Sequence, residues 1–403
     1  MNIRSKSQPK VTPLPQIDIF SDTRDILRHA RRDAETKLKD WFICDIDAHH
    51  VESISWEEVV EYIEDPVVRD QARRWQKEVM VSPYALNGDA GLKYQDVGGR
   101  IPHQTAQRET VDDTTDHRDV VLTRRAIDSL GLKYMVVFPT PMLLLGMHPQ
   151  PEMEVYLSRA YNRWLLERIA SADDRIKVLG LIPFNTPREA ERTVAELAGH
   201  KSVIGFCITS TRYRAVHHNE YMRLYAMLNE CEKPVAFHAA YHWYDQSLAT
   251  INRFVGMHAL GFAWCNMVHM TNWILNGIPE RFPKLKSLWV ESGLAWVPFL
   301  MQRLDEGYLM RVSEAPQLKK LPSEYMRQNC WYTTQPMETT NMKALEVTLE
   351  MINAENQLLF ASDWPHYDFD LPAMIYDLPF LTEQAKRNIL GLNAARLFNL
   401  PVC

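Results

Sequence analysis

Residues 357 to 370 read QLLFASDWPHYDFD. An apolar run, Leu358 to Phe360, leads to Asp363, and Trp364, Pro365, His366, Asp368 and Asp370 follow. Physically this is a buried strand over 357–363 that stops at a carboxylate, with a polar, aromatic, proline-stiffened loop after it. A parallel barrel carries its chemistry at the C-terminal ends of its strands. In such a fold Asp363 is a metal-binding or catalytic carboxylate, and His366 stands on the rim of the site.

The same pattern recurs earlier in the chain. The first strong strand is 41–49 (WFICDIDAH), apolar at its start, acidic and then histidine-bearing at its end. Strand-like runs follow at 133–139, 177–183, 202–209, 233–239, 286–291 and 329–334. Amphipathic helical pattern lies between them, over 118–130, 152–171, 187–199, 219–231, 257–277, 294–310 and 342–353, with closing helices over 382–398. Continuous Val, Ile and Leu runs mark strands buried on both faces. Eight strands alternating with helices predict a (β/α)8 TIM barrel over residues 41–400, of α/β class. A doubly wound open sheet is the alternative, but no Gly-x-Gly-x-x-Gly turn follows the first strand. Residues 1–40 are read as an N-terminal arm and helix. Residues 50–115 lack the strand–helix rhythm and are read as a lid-like insertion over the mouth.

The 403 residues are 46% hydrophobic and 24% charged, enough for one large core. A net charge of −6 gives no reason to expect nucleic acid or an anionic membrane as partner. The cysteines at 44, 207, 231, 265, 330 and 403 are scattered singly, with no CxxC pair, which fits reduced thiols in a cytoplasmic enzyme. No apolar run reaches membrane-spanning length, and the first residues lack an apolar signal core.

Ligand-type residues fall at four predicted strand ends: Asp47 and His49, His238, Glu291, and Asp363. Residues two apart on a strand face the same way, so Asp47 and His49 can reach one ion. Imidazole and carboxylate together suit a divalent Zn, Mn, Fe or Co ion. Each residue also has a plainer reading: Asp47 as a loop cap, His238 as a satisfied core histidine, Glu291 as the partner of Arg303. His50, Glu52, His242, His258, His269 and His366 form a second group, for which a helix-face role is an equal reading. Glu291, Asp363 and His366 are the catalytic candidates, with Arg100 or Arg108 to orient an anionic small-molecule substrate. Trp243, Tyr244, Trp264, Trp296 and Trp364 would suit a large apolar one.

Asp-x-His on strand one, PVxxH on strand five, a Gly-flanked acid on strand six and SDxPH on strand eight form an ordered set. The order resembles the amidohydrolase-related group (amidohydrolase 2, aminocarboxymuconate-semialdehyde decarboxylase-like) of the amidohydrolase superfamily. The resemblance extends through ERFPKLK (280–286), ESGLAWVPFLMQRLDE (291–306), TTQPME (333–338) and LGLNAARLFNL (390–400). It implies that Asp47, His49, His238 and Asp363 bind one divalent ion. It implies hydrolysis or non-oxidative decarboxylation of a small organic acid or ring compound, and a homodimer. The sequence departs from the group at strand six, where Glu291 replaces the usual histidine. Strand four offers no lysine for a bridged binuclear site. The alternative implied is a non-haem di-iron monooxygenase acting on a natural-product intermediate, with Glu291 and one of Glu52, His242 or His269 completing a two-iron site.

Overall fold

The computed structural model describes residues 23–78, 111–112, 115–210, 215–240, 245–366 and 368–402. Eight parallel strands run in sequence order: β1 (Cys44–His50), β2 (Tyr134–Pro139), β3 (Ile176–Leu181), β4 (Val203–Ile208), β5 (Val235–Phe237), β6 (Ser287–Trp289), β7 (Cys330–Thr333) and β8 (Leu358–Leu359). Every neighbouring pair from β1–β2 to β7–β8 is parallel. The ring closes through single backbone bonds. The Ile46 amide donates to the Phe360 carbonyl (3.1 Å), the Asp363 amide to Asp47 (2.7 Å) and the His49 amide to Trp364 (2.6 Å). This is the (β/α)8 barrel expected, with helices between the strands.

The strands are buried on both faces because the outer helices cover them. Val136, Val137 and Phe138 on β2 and Val203, Phe206 and Ile208 on β4 are all essentially inaccessible. One continuous apolar cluster runs from Ile26 on the first helix (Thr23–Glu35) to Phe398 on the last (Asn393–Phe398). At Gly391 the closing segment lies against the start of β1, where a Cβ would come within 2.1 Å of the Phe42 carbonyl oxygen.

Two strands end sooner than the sequence pattern predicts. β6 stops at Trp289 rather than 291, and β8 at Leu359 rather than 363. After β6 the chain turns at Glu291 (φ +46°), which adopts left-handed backbone; after β8 the Phe360 amide donates to the Ile389 carbonyl (2.9 Å) and the Ala361 amide to Thr334 Oγ1 (3.0 Å) before the left-handed Asp363 (φ +59°). The helix expected over 152–171 is α-helical over Pro151–Trp164 and widens to π-type turns over Leu165–Ala170.

Of the insertion expected at 50–115, the described part includes helices Trp56–Glu61 and Pro66–Glu78. The first packs on the helix Pro151–Trp164 that follows β2, where the Trp164 indole donates to Glu58 (3.1 Å). Residues 79–110, with Arg100 and Arg108, lie outside the described residues, as does the arm at 1–22.

Candidate metal centre

Six buried side chains converge at the C-terminal ends of β1, β5, β6 and β8: Asp47, His49, His238, Glu291, Asp363 and His366. Pleating turns Asp47 and His49 to the same side of β1. The two imidazoles are oriented by backbone. His49 Nδ1 lies 2.9 Å from the Pro139 carbonyl and His238 Nδ1 lies 3.1 Å from the Ala239 carbonyl. A carbonyl only accepts, so each Nδ1 carries the proton and each Nε2 presents a lone pair. Those two Nε2 atoms are 3.2 Å apart. Around them, Asp47 Oδ1 is 3.3 Å from both, Asp363 Oδ1 is 3.4 Å from His49 Nε2, and Glu291 Oε2 is 3.4 Å from His238 Nε2.

The left-handed backbone at Glu291 and Asp363 is held from outside. The Glu291 amide donates to Thr333 Oγ1 (3.1 Å). The Leu294 and Ala295 amides donate to Glu338 (3.1 and 3.2 Å). His366 lies over His49, ring centroids 4.4 Å apart, with Nδ1 2.6 Å from Asp363 Oδ1 and Nε2 3.2 Å from Thr140 Oγ1.

The donor set fits a metal ion on three counts. Both oxygens of Asp47, Oε2 of Glu291 and Oδ2 of Asp363 are buried with no hydrogen-bond partner among the described residues. Buried charge is stable only when paired or bound to a metal. Bonds of about 2.1 Å to one ion set adjacent ligand atoms about 3.0 to 3.4 Å apart, in octahedral or tetrahedral arrangement. Most of the separations above lie in or beside that range. Two overlapping groups have ligand atoms mutually within 4.8 Å: Asp47, His49, His238 and Glu291, and His49, Glu291, Asp363 and His366.

Electrostatics says the same. Burial raises Asp363 well above the usual carboxylate range, and the charges of Glu291, Asp368, Asp47 and Asp370 add to it. Burial likewise raises Glu291, reinforced by Asp47 and Asp368. Burial pushes Asp47 up as well, but the His238 and His49 rings, when they carry a proton at Nε2 in the absence of a metal, outweigh it and hold Asp47 at about 2. Burial lowers His49. Acids crowded this way favour a cation among them.

The plainer readings of the primary group fare differently. Arg303 pairs with Glu306 (3.4 Å), not with Glu291. The second group separates. His50 binds Asp119 (3.0 Å) and the Tyr161 hydroxyl (2.8 Å) behind the site. Glu52 accepts the Thr140 and Met142 amides (2.9 and 2.7 Å). His269 faces Cys265 Sγ (3.5 Å) on the helix Phe254–Leu275. His258, on the same helix, is 3.8 Å from Asp368. Only His366 of this group joins the centre, while His242, Trp243 and Tyr244 lie outside the described residues. The sequence reading passed over Asp45, Thr140 and Thr333. Nothing in their spacing marks them, since they act through contacts from other strands.

Fold and site together define a barrel enzyme with a buried cluster, able to hold a metal ion, at the C-terminal rim of its strands. The chain belongs to the amidohydrolase family, whose model matches residues 45–400. It is therefore an enzyme of the hydrolase or carboxy-lyase kind. A gamma-resorcylate decarboxylase of Polaromonas sp. (strain JS666 / ATCC BAA-500) is 24% identical over 258 residues, 60% of this chain and 76% of that protein. The solved 5-carboxyvanillate decarboxylase of Sphingomonas paucimobilis superposes with a TM-score of 0.64 at 22% identity, covering 90% of this chain and 100% of that one. A dihydroxybenzoic acid decarboxylase of Polaromonas sp. JS666, solved with bound manganese and 2-nitroresorcinol, gives a TM-score of 0.64 at 15% identity over 90% of this chain and 98% of that one. Among the described residues no helix is long and apolar enough to cross a membrane.

Proposed function

We propose that this chain is a metal-dependent carboxy-lyase that removes CO2 without oxidation from a small organic acid, of the hydroxybenzoate kind used by its relatives. The observation that carries the reading is the set of orphaned carboxylate oxygens and facing Nε2 lone pairs at the strand ends. Asp47, His49, His238 and Asp363 would hold one divalent ion, of which Zn, Mn and Fe all suit two nitrogens and two oxygens. Such an ion supplies charge neutralisation to the substrate carboxylate and an adjacent oxygen.

The protein's own groups do the rest. His366, anchored on Thr140, orients Asp363 through the Nδ1–Oδ1 contact. Glu291 stands across the mouth. Its raised affinity for protons lets Oε2 hold one and pass it to carbon. The broken C–C bond leaves its electron pair on that carbon, the proton takes the place of CO2, and the carboxylate left at Glu291 is reprotonated from solvent. Arg100 and Arg108 remain the candidates for orienting the anionic substrate.

The test is metal content and CO2 release on purified protein. One equivalent of zinc, manganese or iron, together with CO2 evolution from a panel of hydroxybenzoates, is the expected result. His238→Ala and Asp363→Ala should each lose the metal. Retention of a full complement by both would sink the site. A second reading, the di-iron monooxygenase, draws on the two overlapping ligand groups, which offer six side chains where one ion needs fewer. Two irons per chain with O2 uptake would replace the first reading with the second.

A further inference from the structure

One buried carboxylate beside the centre has no part in the chemistry above. Asp45 is fully buried and, among the described residues, forms no ion pair. Its Oδ1 accepts the amides of Asp47 (3.1 Å) and Ser362 (2.9 Å), and its Oδ2 accepts the Ser362 hydroxyl. Ser362 Oγ in turn accepts the Trp364 amide (3.0 Å). The two Asp45–Ser362 bonds cross the seam where β8 meets β1, between residues 317 positions apart in the chain. The Asp363–Asp47 and His49–Trp364 backbone bonds lie in the same seam. Three donors meet at one side chain, and only a carboxylate accepts all three. An amide would offer one oxygen and turn an N–H toward a neighbouring donor.

The seam bears three of the proposed ligands, Asp47, His49 and Asp363, and Asp363 sits there at φ +59°. A non-glycine residue keeps that conformation only where its surroundings over-determine it. We infer that Asp45, working through Ser362, is a positioning residue that fixes Asp47 and Asp363 relative to each other across the seam for binding a divalent ion. It rests on the reading of those two residues as metal ligands. It assigns to Asp45 a share of metal affinity without contact to metal or substrate. Outer partners of metal ligands commonly contribute about 10- to 100-fold in affinity.

The experiment uses the full chain with Co2+ as probe, read by chelator competition and by the visible absorption of bound cobalt. Asp45→Asn should weaken Co2+ binding by about 10- to 100-fold and shift the cobalt spectrum. Ser362→Ala should weaken it about 10-fold, and Ser362→Thr, which keeps the hydroxyl, should restore most of the loss. The double variant should bind no more weakly than Asp45→Asn alone, because the two residues act as one unit. Thermal unfolding of each metal-free variant establishes that it is folded. Folded Asp45→Asn and Ser362→Ala proteins with unchanged affinity and an unchanged spectrum would overturn the inference. If Asp45→Asn does not fold, the Ala and Thr variants at 362 decide it alone. Failure of the metal reading shows differently: the unaltered protein itself then takes up no Co2+, and the inference falls with it.

Discussion

Two imidazole nitrogens with lone pairs facing each other at 3.2 Å repel unless a cation lies between them. At His49 and His238 the backbone carbonyls of Pro139 and Ala239 favour that arrangement, so the pair could hold an ion between its two Nε2 atoms. His269 is the instructive contrast. It too is a buried histidine near the strand ends, but it faces Cys265 Sγ rather than a cluster of acids, and burial lowers its pKa to about 4. The folded-state value lies below the ordinary 6.5. Stability from keeping this ring neutral is therefore complete above pH 6.5 and is lost as the pH falls toward 4. Between pH 7 and pH 5 the loss is about 2 kcal/mol. In urea unfolding at those two pH values, His269→Gln should show a smaller drop in stability than the unaltered protein, by about that amount. An equal drop in both proteins would refute the assignment. A histidine's chemical type was legible in the sequence, but its role was not. His49, His238 and His269 all lie in apolar surroundings, and only the nearness of Asp47, Glu291 and Asp363, gathered at the ends of β1, β6 and β8, separates ligand candidate from core residue.

At the scale of elements, the strands were easy to read and their ends were not. Long Val/Ile/Leu runs mark the strands because outer helices cover both faces of each one. Yet β6 ends at Trp289 and β8 at Leu359, short of the left-handed Glu291 and Asp363, and propensity does not predict a left-handed glutamate. Tertiary hydrogen bonds impose it. The turn after β6 is gripped by β7 and the segment behind it: Thr333 takes the Glu291 amide, and Glu338 takes those of Leu294 and Ala295. Two strings that carry the family resemblance, ESGLAW and TTQPME, thus acquire one joint explanation as the two halves of a clamp. Thr333→Val removes the acceptor and leaves the buried Glu291 amide unpaired, which should cost about 1–3 kcal/mol. Thr333→Ser should cost far less, because it keeps the oxygen. The same clamp requires glycine at 293, where φ is +70° and a Cβ would come within 2.5 Å of Glu338 Oε1. Gly293→Ala should lower both stability and metal affinity. Denaturant unfolding with metal titration checks all three variants, and a Thr333→Val protein as stable as Thr333→Ser would show that the clamp carries no weight.

Across the whole molecule, the barrel closes at the point where it collects its acids. β1 and β8 meet through bonds at Asp47, Asp363, His49 and Trp364, so the seam of the fold and the candidate site are made of the same residues. Without a cation, the closed state must bury Asp47, Glu291 and Asp363 together, and burial with mutual repulsion raises the latter two far above their ordinary range. A ligand that binds only the folded state stabilises it by about 2.7 kcal/mol at 100 times its dissociation constant. Bound metal should therefore raise the unfolding temperature in a concentration-dependent way, and a chelator should lower it again. The competing effect is proton uptake. At low pH the acids protonate and no longer need the ion, so the stabilisation by metal should shrink as the pH falls below neutrality. Asp363→Asn supplies the control, since it removes one charge from the cluster and one ligand from the ion. Its metal-free form should be at least as stable as the metal-free parent, while its response to added Mn2+ should be nearly abolished. Calorimetric melts of both proteins, with and without Mn2+, measure this directly. A parent protein whose melting is indifferent to both metal and chelator would separate the seam of the barrel from any metal centre.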